Sequence, residues 1–183
     1  MASTTSKIVT YEEWLRMPEV EGREEVVDGQ IVIMPPNKWS HQEILAELHA
    51  ILLAQFDRKV VRVASSVFGL VIRKEPLTLR SPDLALFVRK NIVELDGYVY
   101  SPPELIVEVL SPRHTRRDMV KKTEDYQSIG VPELWILSPE ARTWEVLQLQ
   151  EGQLRRIQVL LEGQLRPLRF PETVVDVASV WPD

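Results

Sequence analysis

The stretch LIVEVLSPRHTRRDMVKKTEDYQSIGVPELWIL, residues 105–137, sets two apolar runs on either side of a charged, helix-favouring segment. Residues 105–110 and 134–137 are rich in Val, Ile, Leu and Trp, the composition of buried strands. Between them Thr115 stands as a helix N-cap, Asp118 falls in the first turn, where the helix dipole favours an anion, and Gly130 with Val131-Pro132 ends the helix. Strand, helix, strand in that order predicts a parallel crossover. One residue resists this reading. Leu105, Val107 and Val109 alternate to one face of the first strand, so Ile106, Glu108 and Leu110 share the other, and Glu108 is aimed into an apolar layer. Left uncompensated, that carboxylate costs on the order of several kcal/mol. The helix carries an answer. At about 100° per residue, Met119, Thr123, Tyr126 and Ile129 form one face; Lys122 lies near its centre, and Lys121 points away.

Upstream, strands are predicted at 60–64, 68–72 and 83–88, joining 105–110 and 134–137 in one mixed sheet. Ser40 and Glu43 make a capping pattern ahead of Ile44, Leu45, Leu48, Ile51 and Leu52, which predicts an amphipathic helix lying on that sheet and ending near Phe56. Thr10 and Glu13 form a second capping pair, for a short helix that stops at Pro18. In EEVVDGQIVIM, Asp28-Gly29 separates two β-branched runs and predicts a hairpin, closed by Pro35-Pro36. After Thr143 only β signals remain. The pentapeptide EGQLR recurs at Glu151 and Glu162, each time at a turn, which predicts a C-terminal β-meander from Trp144 onward.

With 183 residues, 44% of them hydrophobic and 27% charged, the chain can bury a core as a single domain over 1–183. A net charge of -5 and a pI near 5.4 exclude a protein that coats nucleic acid by overall charge, though not one with a local basic patch. The first residues contain no apolar leader and no stretch is long enough to span a bilayer, so a cytoplasmic protein with no membrane partner is expected. Without cysteine and with three histidines, a metal site would be built mainly of carboxylates, which select Mg2+ or Mn2+.

Asp83 follows a proline and opens a strand, where an aspartate commonly makes a turn. On a strand beside Glu108, however, its carboxylate can converge with that of Glu108 at one sheet edge and offer oxygen ligands to a hard cation. Lys122 has ordinary readings as a snorkelling lysine or an i,i+4 partner of Asp118. Joined to the two acids, it makes a mixed-charge site able to hold a metal, a water and a phosphate. Arg113, His114, Arg116, Arg117 and Lys121 add positive charge around a helix N-terminus; this is either a solvated surface or the phosphate-holding rim that phosphodiester cleavage requires.

The blocks EEVVDGQIVIMPP, SPDLALFV, PPELIVEVLSP and RRDMVKKTEDYQSIGVPELWIL resemble, in order and spacing, the Uma family of restriction-endonuclease-like proteins within the PD-(D/E)XK nuclease superfamily. The resemblance runs from the first hairpin to Leu137 and weakens in the meander. It implies an α/β (α+β) restriction-endonuclease-like core, a mixed central sheet flanked by helices, and Mg2+- or Mn2+-dependent cleavage of nucleic acid, DNA first. Asp83 and Glu108 match the family's metal-binding acids, Lys122 a lysine carried on the helix, and Glu25 an additional ligand or water-orienting group; His41 and Tyr126 match supporting positions. The chain departs from the pattern at Glu24, where the family tends to have an aromatic. A homodimer or higher homo-oligomer is a further expectation from the resemblance.

Burial beside a cation would lower the pKa of Lys122 and suit it to act as a base. Two rivals stand beside a metal-dependent endonuclease: a non-catalytic nuclease-like module that binds nucleic acid or a protein partner, and a phosphohydrolase with a closed pocket for a small substrate.

Overall fold

The computed structural model describes residues 8–18, 23–34, 36–65, 68–111 and 116–182. Thr10 and Glu13 cap each other reciprocally, as expected, and open α1 (Tyr11–Arg16). The hairpin of β1 (Arg23–Val27) and β2 (Gln30–Met34) turns through Asp28 and Gly29, with φ of 51° and 79°. Glycine is required there twice over, because a Cβ would lie 2.3 Å from Cγ2 of Ile8. Pro35, the first of the two prolines expected to close the hairpin, lies outside the described residues.

The next helix, α2 (Trp39–Gln55), begins earlier than its capping pattern suggested. Lys38 takes the extended N-cap conformation without a side-chain bond, so Ser40 is already helical and Ser40 with Glu43 caps nothing.

Then follow β3 (Val61–Ser65), β4 (Leu70–Lys74), β5 (Leu77–Arg80), β6 (Leu84–Val88), β7 (Glu94–Leu95), β8 (Tyr98–Val99) and β9 (Leu105–Val109). After these come α3 (Arg116–Ser128), β10 (Glu133–Ser138), β11 (Thr143–Gln150), β12 (Gln153–Leu160), β13 (Gln164–Leu165) and β14 (Val175–Asp176). The expected cap of α3, Thr115, lies outside the described residues.

The strands form two large sheets where one was expected. The central sheet runs β12-β11-β10-β9-β6-β3, with β9 and β10 parallel across the α3 crossover and its other pairs antiparallel. The second runs β2-β1-β5-β4-β8-β7 and takes β4 away from the central sheet. The cause is β5, a strand absent from the sequence reading, which pairs with β4 beyond the cis Glu75-Pro76 turn and with β1 at Val26 and Leu79. The meander is also partly revised. β11 and β12 extend the central sheet, but the second EGQLR leads into β13, whose partner is β14.

Alternation along the central strands sorts two cores. Leu84, Leu86, Leu105, Val107, Val109 and Trp135 pack with Ile44, Leu48 and Leu52 of α2. Ala85, Phe87, Ile106 and Ile136 pack on the opposite side with Tyr126 of α3 and with Leu70 and Ile72 of β4. Glu108 shares the parity of Ile106, and so belongs to the side covered by α3 and the second sheet.

Candidate functional site

Between the β1–β2 hairpin, the start of α2, the ends of β6 and β9, and α3 lies a cleft of about 600 Å3. Glu25, His41, Asp83, Glu108 and Lys122 all line it. Each comes from a different element, so the fold gathers them from across the chain.

Glu108 is fully buried and Lys122 3% exposed, and Lys122 Nζ lies 3.0 Å from both carboxylate oxygens of Glu108. Tyr126 donates its hydroxyl to Glu108 Oε1 at 2.5 Å. Burial, followed by the Glu108 charge, pushes the Tyr126 phenol well above its ordinary range and keeps it a donor. The compensation that the sequence demanded for Glu108 is therefore present. Asp83, immediately before β6, accepts the Val109 N–H at 2.8 Å, which ties it to the strand carrying Glu108. His41 donates from Nε2 to Asp83 Oδ2 at 3.2 Å, while its buried Nδ1 has no partner among the described residues.

Glu25 is held by three donors: Arg80 Nη1 at 2.7 Å, Lys122 Nζ at 3.2 Å and the Ser81 N–H at 3.3 Å. Burial alone would raise its pKa, but Lys122 and Arg80 outweigh that effect and bring it below the usual glutamate value. Arg80, a residue the sequence reading did not single out, also grips Asp125 of α3 through Nε at 2.9 Å and Nη2 at 2.6 Å. Desolvation lowers its pKa, yet the charges of Glu25 and Asp125 win and raise it. Arg73 extends the chain of charges from Asp125 to Asp28.

The basic rim divides. Arg113 and His114 lie outside the described residues, and Arg116 and Arg117 are exposed but do not line the cleft. Lys121, expected to point away, does line the cleft and reaches Asp28 at 3.3 Å, because its long stem carries the ammonium round to the hairpin turn.

The donor set suits a hard cation, being carboxylate oxygens with no sulfur. Among the described residues no three His, Asp or Glu side chains cluster at metal-ligand spacing. A small cation such as Mg2+ needs only one or two carboxylates, with water and substrate oxygens completing its shell; Asp83 and Glu108 both line the cleft, and both oxygens of Glu108 are engaged by Lys122.

A family model described as "Uma2: Putative restriction endonuclease" matches residues 11–178. Among solved structures, the chain is similar to one from Anabaena variabilis ATCC 29413 whose title calls it a "putative nuclease belonging to DUF820", with a TM-score of 0.78 and 19% identity over 94% of this chain and 97% of that one. That likeness shows a nuclease-like fold of mixed sheets and few helices. A search of curated proteins found no match. No helix among the described residues is long and apolar enough to cross a membrane.

Proposed function

The chain belongs to the Uma2 family, and from that premise we propose that it is a Mg2+- or Mn2+-dependent endonuclease that hydrolyses phosphodiester bonds of DNA. The observation that carries this reading is the bond of Lys122 Nζ to both oxygens of Glu108, at the edge of a cleft that Asp83 also lines.

Asp83 and Glu108 hold the cation, which when bound polarises the scissile phosphate and makes a neighbouring water more acidic. His41 fixes the rotamer of Asp83, and the Val109 N–H holds the same oxygen from the other side. Tyr126 and Lys122 orient Glu108. Lys122, sitting between Glu108 and Glu25, orients the attacking water or stabilises the negative charge that develops on the phosphate oxygens. Glu25, bonded to Arg80, Ser81 and Lys122, assists as an additional ligand or by seating the lysine that orients the water. Lys121 and Arg116, with Arg113 and Arg117, supply charge for flanking phosphates. The long outer strand β12, with Ile157 and Val159 exposed, offers an edge for a homodimer.

The test is cleavage of single- and double-stranded DNA and RNA by purified protein with Mg2+ or Mn2+, set beside Asp83→Asn, Glu108→Gln and Lys122→Met. Activity in the parent and its loss in all three folded variants is the expected outcome; full activity in Asp83→Asn or Glu108→Gln rejects this centre. The rival, a binding module without chemistry, draws on the lack of any group of three metal-ligand side chains among the described residues. It predicts no divalent-cation heat that depends on Asp83 in titration calorimetry.

A further inference from the structure

We propose that the hairpin wall of the cleft is a seat for an unstacked nucleobase, so that the DNA strand enters the site with one base turned out of its stack. This rests on the nuclease reading and specifies its substrate. The register pairs Val27 with Gln30 and Glu25 with Val32, and side chains directly opposite in an antiparallel pair share a face, which Met34, two residues beyond Val32, continues. Glu25, Val27, Gln30, Val32 and Met34 accordingly line one wall of the cleft together. Val27, Val32 and Met34 give that wall an apolar surface beside Glu25 and the Gln30 amide, and Val32 remains 39% exposed.

A ligand made only of phosphate and sugar gains nothing from such a wall; it needs donors. A base does gain, because its faces bury against Val32 and Met34 while the Gln30 amide can both donate to and accept from its edge. Lys38 and Lys121 line the same cleft, Lys121 beside Asp28, and can hold the flanking phosphates once a cation offsets the surrounding acids. A base inside a duplex keeps its faces stacked on its neighbours, so single-stranded or locally opened DNA is what can offer a free face to the wall.

The experiment measures fluorescence anisotropy of a labelled DNA strand, of the same strand made abasic throughout, and of the corresponding duplex, all with Ca2+. The parent protein is expected to bind the intact strand about tenfold more tightly than the abasic one, and more tightly than the duplex. The double variant Val32→Ser, Met34→Ser, shown by thermal melting to be folded, should bring the intact-to-abasic ratio close to one. Equal affinity for intact and abasic strands in the parent overturns the base seat, as does a ratio that the variant leaves unchanged. So does sedimentation showing that a second copy covers the hairpin wall and leaves on the same substitution. The nuclease reading fails separately: absence of cleavage of every DNA form with Mg2+ or Mn2+ rejects the chemistry even if the ratio persists. Cleavage with a ratio of one rejects only the seat.

Discussion

Glu108 and Lys122 bear on stability whatever their part in the proposed chemistry, because each is buried and each compensates the other. Breaking such a pair from one side strands a charge, so Lys122→Met should lower the unfolding free energy by about 3 kcal/mol or more. Adding Glu108→Gln to that variant should recover most of the loss, and urea unfolding of the two singles and the double measures the coupling. Glu133 makes a prediction of different sign. Burial raises its carboxyl pKa above the ordinary 4.5, and the Leu168 N–H and Gln148, which pull it down, do not offset that. The folded state therefore prefers the protonated acid. Stability is undiminished below the unfolded pKa, falls as pH rises through the window between that value and the raised one, and stays lower above it. Glu133→Gln should flatten this fall and be the more stable protein at neutral pH, as seen by thermal melting across the acid range. Lys122 and Glu108 were legible from alternation and helical period alone, since both are local rules. Arg80 was not. Its partners Glu25 and Asp125 stand 55 and 45 residues away in the chain, and an arginine at a strand end carries no local sign of a buried partner.

At the scale of elements, the hairpin turn tolerates little change. Gly29→Ala combines a positive φ with a Cβ placed against Ile8, and should cost about 1–3 kcal/mol in denaturant unfolding. Because β1 and β2 carry Glu25 and the apolar wall, cleavage should weaken in this variant even where the protein remains folded. The same turn shows what the sequence announces well. Asp28-Gly29, the Thr10 and Glu13 pair, and the β9–α3–β10 crossover were all readable because their signals lie within a few residues. The division of the strands into two sheets was not readable. Strand composition marks β4 as a strand, but whether it joins β6 or β5 depends on a return of chain that local pattern does not encode. For the same reason β13 left the meander for β14.

For the molecule as a whole, charge balance governs binding. The cleft is lined by five carboxylates, Glu25, Asp28, Asp83, Glu108 and Asp118, against Lys38, Arg80, Lys121 and Lys122. In a chain of net charge -5, that balance does not attract a polyanion. DNA affinity should therefore fall about tenfold or more when chelator replaces Ca2+, and should weaken further with added salt, both by anisotropy. The ammonium that Glu108 and Glu25 share has one more consequence. On the proposed reading, a divalent ion arriving at Glu108 would have to displace that ammonium toward Glu25, so its binding would be an exchange of one positive charge for another and not the filling of a bare acid.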